Sequence, residues 1–208
     1  MTRYRVPARV HRVEEAVHRS RFITTAARAP DADAAHAFIQ SVRDEFPDAT
    51  HNCWAFVAGP PGSTTHIGMS DDGEPHGTAG KPMLTTLLHG GIGEIVAVCT
   101  RYFGGVKLGT GGLSRAYSGG VKLVLESLPT EERVDRVSVE VTVGYADVDA
   151  LRRLVADMEV VVEREEYGAD VRYTCAVPEP ALEEFRRVAA LLSAASSRTD
   201  PPARGSAA

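Results

Sequence analysis

The stretch from Gly90 to Leu128 constrains the fold most, because an apolar segment passes through a glycine-rich loop into a helical pattern. Ile95–Cys99 is an unbroken apolar run rich in β-branched residues, typical of a strand buried on both faces, although periodicity alone does not exclude a helix. Glycines cluster after it, and from Leu113 onward apolar residues recur on one helical face. A strand, a glycine loop and a helix in this order leave unpaired backbone N–H groups that an anion can bind.

Two interpretations of this stretch are open. In the first, the glycines form a tight connection, and Gly119 and Gly120 let the helix lie close to a sheet, which must offset about 1 kcal/mol per mid-helix glycine. In the second, Arg101, Lys107 and Arg115 surround a backbone nest for a phosphate. Charge favours the second interpretation, because residues 81–122 contain five basic side chains and one acidic one in a chain of net charge −5.

Composition sets the class of protein. The 208 residues allow one large domain or two small ones, and 43% apolar with 25% charged residues is ordinary for a globular protein. The sequence contains neither an 18-residue apolar run nor the apolar core of a signal peptide, so no membrane partner is expected. Cys53, Cys99 and Cys175 are widely spaced in apolar surroundings, which predicts reduced core cysteines, no zinc site and a cytoplasmic location.

Charge is divided unevenly along the chain. Residues 1–137 hold 15 basic and 15 acidic side chains, whereas residues 138–208 hold 8 basic and 13 acidic ones. A polyanion should therefore meet the first part of the chain.

Periodicity predicts a mixed set of elements before the central stretch: two strands, a helix, two further strands and a short helix. They lie within Arg9–Arg28, from Asp31 or Asp33 to Phe46, and at His51–Ala58, Thr64–Met69 and Pro82–Leu88. Pro129–Asp135 is interpreted as a polar connector and domain boundary. Beyond it the pattern is β-α-β-β-α, one strand short of a split βαβ (ferredoxin-like) fold.

The loop Ser70–Met83 is rich in both glycine and acids. Gly80 followed by Lys81 invites a phosphate-loop interpretation, but Pro75 and Pro82 occupy places where that motif requires glycine and a hydroxyl residue, so we reject it. Three acids in one turn are usually solvated, and no further metal ligand of defined spacing follows. We therefore expect these acids to orient the cations of the glycine stretch and to bind no metal. They are Asp71, Asp72 and Glu74.

Four motifs carry a resemblance to a known family: SRFIT, HNCWAFV, SDDGEPHGTAGKPML and RYFGGVKLGTGGLSRAY. In this order and spacing, from about Val6 to Leu192, the chain resembles the IMPACT/YigZ family. The family's basic and glycine motif maps onto Arg101, Gly104, Gly105, Gly109, Gly111, Gly112 and Tyr117. Its acidic and glycine motif maps onto Asp72, Gly73, Glu74, Pro75, Gly77, Thr78, Ala79, Gly80, Lys81 and Pro82.

The resemblance implies an α+β protein of two domains. Residues 1–130 should form an α/β domain similar to the second domain of ribosomal protein S5 and to domain IV of elongation factor G. Residues 136–194 should form a ferredoxin-like domain similar to domain V of that factor. Relatives have a final strand there, but residues 195–208 contain two consecutive prolines and no alternation, which predicts a disordered tail and a sheet without its last strand.

The bacterial members of the family have no settled activity. For function, the resemblance implies association with nucleic acid or the ribosome. Eukaryotic relatives regulate translation through an extra domain for which this sequence shows no counterpart, so that partner does not carry over. We expect a non-enzymatic, translation-linked regulator, without a cofactor, that binds RNA or the ribosome and does not read DNA sequence. The expected binding residues are Lys81, Arg101, Gly104, Gly105, Lys107, Gly109, Gly111, Gly112, Arg115 and Tyr117.

Two alternatives remain beside that expectation. One is an enzyme or sensor for a small phosphorylated ligand bound at the loop from Gly109 to Gly112. The other is a glycine-rich scaffold whose partner is a protein, since function does not follow from fold. Salt dependence distinguishes RNA from a single small anion, because a chain of phosphates releases several counterions.

Overall fold

The computed structural model describes residues 3–196, which form a mixed α+β structure of two compact units. The division falls between Arg133 and Val134. This is the fold class and the two-domain arrangement that the sequence predicts. Within the described residues no helix is both long and apolar enough to span a membrane.

The first unit is built on a five-stranded antiparallel sheet of order β2-β3-β6-β4-β5, beside a separate two-stranded sheet of β1 and β7. Its elements in chain order are β1 (Arg3–Pro7), β2 (His11–Val17), β3 (Ser20–Arg28), α1 (Ala32–Glu45), β4 (His51–Val57), β5 (Ile67–Ser70), α2 (Gly80–His89), β6 (Ile95–Tyr102), α3 (Gly109–Ser127) and β7 (Thr130–Val134).

The central strand β6 is buried on both faces, which explains its unbroken apolar run. Ile95, Ala97 and Cys99 belong to the core that α2 and α3 cover. Val96 and Val98 belong to a second core that packs against α1. The interpretation of this run as a doubly buried strand is therefore confirmed, and helices cover both faces of the sheet.

Helix α3 lies close to the sheet at one of its two adjacent glycines. A Cβ added at Gly120 would lie 2.4 Å from the Oγ1 of Thr24 on β3, whereas one at Gly119 would meet nothing nearer than the Glu15 Oε1 at 3.8 Å. The packing interpretation thus holds for Gly120. The helix begins at Gly109, four residues before its apolar pattern starts, because its first turn faces away from the core.

The prediction that Pro129–Asp135 is a polar connector is wrong, because strand β7 occupies Thr130–Val134 and pairs with β1. The strand carries charged, partly exposed residues and no clean alternation. Its partner lies more than a hundred residues earlier in the chain. Local pattern therefore does not reveal it.

The second unit is a three-stranded antiparallel sheet of order β8-β10-β9 with two helices. Its elements are β8 (Arg136–Val143), α4 (Val148–Asp157), β9 (Val161–Tyr167), β10 (Val171–Pro178) and α5 (Leu182–Ser196). Leu151 of α4 and Phe185 of α5 are fully buried against Tyr173 and Cys175 of β10.

Within residues 134–196 the sheet has no fourth strand, as expected for a ferredoxin-like domain without its last strand, and β8 lies at an edge. Helix α5 runs two residues into the segment for which the sequence predicts a disordered tail. The rest of that segment, residues 197–208, lies outside the described residues.

Candidate functional site

A buried polar cluster joins the two glycine-rich loops of the first unit. The Arg101 Nη1 donates to the Glu74 Oε1 over 2.5 Å, and the same oxygen accepts a hydrogen bond of 2.8 Å from the Tyr117 hydroxyl. The side chains of Arg101 and Glu74 are only 5% and 3% exposed, and Tyr117 is fully buried. Glu74 therefore compensates the buried charge of Arg101, as a charge removed from water requires.

Strand register places Arg101 in this cluster. It lies opposite Phe22 on β3, with its guanidinium 5.3 Å from the centre of that ring. Its Nη2 donates to the Ser20 Oγ over 3.3 Å, while its Nε is buried without a hydrogen-bond partner in the described structure. Arg101 is thus fixed by its contacts with Phe22 and Ser20, and its charge faces Glu74.

Asp71 organises the start of α2. Its Oδ1 accepts from the N–H groups of Ala79 and Gly80 over 3.0 and 2.8 Å, and its Oδ2 accepts from that of Gly77 over 2.7 Å. Burial by itself raises the pKa of the Asp71 carboxyl, but these backbone donors outweigh burial and lower it. The carboxylate is therefore stabilised in its charged form and fixes the glycine loop.

Asp72 ties the same loop to its neighbours. Its Oδ1 accepts from the Arg43 Nη2 over 2.6 Å, and its Oδ2 accepts from the backbone N–H of Asn52 over 2.7 Å. Its backbone carbonyl lies 2.8 Å from the Nδ1 of His51. All three acids of the loop thus bind groups of the protein itself. In the contacts described, Glu74 orients a cation of the glycine stretch, as expected, whereas Asp71 binds backbone N–H groups and Asp72 binds Arg43.

A cavity of about 840 Å³ in the first unit lies between α2 and α3, and we call it the α2–α3 cleft. Lys81 of α2 and Arg115 and Lys122 of α3 line it, with Glu126 as its acidic residue. A Cβ added at Gly111 would lie 3.5 Å from the Arg115 Nη1, so this guanidinium reaches back over the first turn of α3. The cleft is therefore a basic surface between two helices.

Hydroxyl groups of the cleft are engaged with their own helix. The Thr85 and Thr86 Oγ1 atoms each donate to a backbone carbonyl one turn earlier over 2.9 Å, and the Ser118 Oγ does so over 2.8 Å. Each hydroxyl oxygen still has acceptor capacity, but its proton is in use. The cleft thus offers cation–anion attraction at Lys81, Arg115 and Lys122, beside apolar surface from Pro82 and Leu125.

A smaller cavity of about 330 Å³ lies where β6 runs into α3, and we call it the Phe103 pocket. Arg101 and Glu74 line it, together with Phe103, Lys107 and the first residue of α3, Gly109. Lys107 is exposed, in contrast to Arg101.

The structure does not bring all the predicted cations into one cleft. Arg101 and Lys107 line the Phe103 pocket, whereas Lys81 and Arg115 line the α2–α3 cleft. Tyr117 lies in the core. Of the predicted glycines, Gly109 lines the pocket and Gly111 lies beside Arg115. Gly104, Gly105 and Gly112 shape the connecting loop and the first turn of α3.

Two residues of these cavities, Lys122 and Phe103, are not among the binding residues predicted from the sequence. Lys122 lies seven residues after Arg115, a helical spacing that placed both on one face, and that spacing was sufficient to include it. Phe103 is exposed beside the cations, as its position near Arg101 in the sequence indicates, but an exposed aromatic residue alone does not identify a binding site.

The two cysteines of the sheet do not suit nucleophilic chemistry. Cys53 on β4 and Cys99 on β6 lie opposite each other and are fully buried. Burial raises the pKa of the Cys53 thiol strongly and that of the Cys99 thiol to about 12. Both remain protonated near neutral pH, and the thiol is a poor nucleophile compared with the thiolate.

Comparison with known proteins shows which family this chain resembles. Residues 18–125 match the family model of the Impact N-terminal domain, and residues 141–194 match a domain of unknown function, DUF1949. A solved structure, described as that of a hypothetical protein, is similar with a TM-score of 0.69 and 41% identity, over 94% of this chain and 95% of the other.

Curated relatives point to the same family as the domain matches. IMPACT family member YigZ of Escherichia coli (strain K12) is 42% identical over 185 residues, which is 89% of this chain and 91% of the relative. IMPACT family member YvyE of Bacillus subtilis (strain 168) is 35% identical over 173 residues, which is 83% of this chain and 78% of the relative. The chain therefore belongs to the IMPACT family.

Proposed function

We propose that this protein is a non-enzymatic, translation-linked regulator that acts in the cytoplasm. In this proposal it binds RNA, either free or within the ribosome, through the α2–α3 cleft. The observation that carries the proposal is the convergence of Lys81, Arg115 and Lys122 on one cavity of about 840 Å³. Family membership supports the link to translation, because the resemblance to the IMPACT/YigZ family implies association with nucleic acid or the ribosome.

The three cations are available to an external anion. Within residues 3–196 none of Lys81, Arg115 and Lys122 takes part in an ion pair. By contrast, Arg101 is buried against Glu74. Exposed, unpaired lysine and arginine side chains are the groups that neutralise a phosphate backbone and release its counterions.

The extent of the cleft favours a chain of phosphates over one small anion. Arg115 and Lys122 are seven residues apart on α3, which corresponds to about 10 Å along the helix. Backbone positions this far apart along a helix suit successive phosphates of a strand better than one small anion. Arg101 and Tyr117 then act from within the core, where they hold the loops on which the cleft is built.

The salt dependence of RNA binding tests the proposal. In the triple variant Lys81→Gln, Arg115→Gln and Lys122→Gln, we expect weaker retention of a single-stranded RNA in a filter-binding assay. The plot of log affinity against log salt should become shallower by about 2, since each lost phosphate contact on a single strand removes about 0.7.

A matched control uses three exposed arginines of the second unit, changed together to glutamine: Arg152, Arg153 and Arg172. This control removes the same number of positive charges and should leave the slope unchanged. Equal losses in both triple variants would mean that net charge, and not the cleft, determines binding. No measurable RNA binding by the unmodified protein at low salt would overturn the proposal.

A further inference from the structure

We propose that the Phe103 pocket binds one unpaired nucleotide, with the base stacked on the Phe103 ring and the phosphate held by Lys107. The inference rests on the proposed RNA-binding function and extends it to a second site with a different chemistry. The α2–α3 cleft attracts phosphates whatever their bases, whereas this pocket requires a free base.

Phe103 is presented to solvent on a fixed backbone. Its residue is 47% exposed, although it directly follows a buried strand. Its own N–H donates to the Thr50 Oγ1 over 3.1 Å, and the next N–H, of Gly104, donates to the Ser20 Oγ over 3.2 Å. A Cβ at Gly104 would lie 2.0 Å from the carbonyl oxygen of Arg19, so this backbone lies directly against the turn that leads into β3. The ring is therefore positioned before any ligand arrives.

The ring has a fixed cation on its protein side. The Arg101 guanidinium lies 5.5 Å from the centre of the Phe103 ring and is anchored by its ion pair with Glu74. This contact holds the ring while almost half of the residue stays exposed. A fixed, exposed aromatic face accepts any base by stacking, because every base has a π-face.

The size and charge of the pocket suit a single nucleotide. Its volume of about 330 Å³ lies at the lower end of small-molecule sites and is far too small for a duplex. The wall combines the apolar side chains of Pro75, Leu108 and Leu113 with the exposed amine of Lys107. Arg101 offsets the charge of the Glu74 carboxylate, so the pocket retains a positive charge from Lys107 for a phosphate.

An RNA hairpin with 2-aminopurine, placed either in its unpaired loop or in its stem, tests the inference in the full-length protein. We expect fluorescence quenching for the loop position and little change for the stem position. Phe103→Leu keeps an apolar side chain but removes the π-face, and should weaken loop binding on the order of 10-fold. Val106→Ala, an exposed residue of the same loop, is the matched control and should have no effect.

Adenosine monophosphate separates this inference from the proposed function. In a nuclear magnetic resonance titration it should shift signals of the Phe103 ring, and Lys107→Gln should weaken that binding. If the nucleotide binds there while no RNA is retained, the pocket stands and the proposed function fails.

If RNA is retained equally well by Phe103→Leu, with no preference for the unpaired base, the pocket inference fails and the proposed function stands. If neither RNA nor adenosine monophosphate binds, both are overturned. The melting temperatures of the variants, which should match that of the unmodified protein, show that each remains folded.

Discussion

Glu74 and Arg101 form an ion pair of 2.5 Å in which neither side chain is more than 5% exposed. The two residues come from different glycine-rich segments, 27 residues apart in the chain. The Tyr117 hydroxyl donates to the same carboxylate oxygen, so helix α3 is tied to the pair as well. This pair connects the acidic loop, the central strand and the long helix at one buried point.

Removing one partner of this pair should destabilise the protein strongly. Arg101→Ala or Glu74→Ala leaves an uncompensated buried charge, which costs about 3–5 kcal/mol of unfolding free energy. The double variant Glu74→Ala, Arg101→Ala should lose clearly less than the sum of the two single variants, because no charge remains buried. Urea unfolding of the three variants measures this coupling. Strict additivity would show that the two residues do not act as a pair.

The two adjacent glycines of α3 should respond in opposite directions to alanine. Gly119→Ala has room for its methyl group, so it should raise the unfolding free energy by up to about 1 kcal/mol through helix propensity. Gly120→Ala forces a contact with the Thr24 Oγ1, which hydrogen-bonds to the Cys99 Sγ, and should destabilise the protein. Thermal unfolding of both variants compares them. An equal gain in both would contradict the close approach of α3 to β3.

Asp71 should stabilise the fold only while it is charged. Its backbone donors lower the pKa of the carboxyl below its ordinary value of 3.8. The carboxylate therefore contributes fully above that value, and its contribution is lost as the pH falls through the lowered pKa. Asp71→Asn should cost about 1–2 kcal/mol at neutral pH, as loss of a helix cap does. Urea unfolding of both proteins at several pH values should show the difference shrinking in acid.

Glu15 should have the opposite pH dependence. Desolvation raises the pKa of its carboxyl above the ordinary value of 4.5, and its Oε1 is buried without a hydrogen-bond partner in the described structure. The folded state then binds the proton more tightly than the unfolded state, so stability falls as the pH rises through the raised pKa. Glu15→Gln should therefore melt higher than the unmodified protein at neutral pH. The advantage should vanish in acid, and a constant advantage at all pH values would refute the desolvation argument.

Much of the fold could be predicted from local pattern. The apolar run at Ile95–Cys99 and the alternation at Val137–Val143 identify a doubly buried strand and a half-exposed one. Both assignments hold, because burial on one or two faces imposes its period directly on the residues. Helix α1 is likewise predicted by its cap, since the Asp31 Oδ1 accepts from the Ala34 N–H.

The sequence by itself determined most of the element types, though not β1 and β7, together with the two-domain α+β class and the family, because these depend on periodicity and on motifs within short segments. Only the tertiary structure decided that β7 pairs with β1, that Arg101 is buried against Glu74 and that Lys81, Arg115 and Lys122 share a cleft. The physical reason is that a buried charge needs an opposite charge and a strand needs a partner. Neither requirement says which distant residue supplies it until the chain has folded.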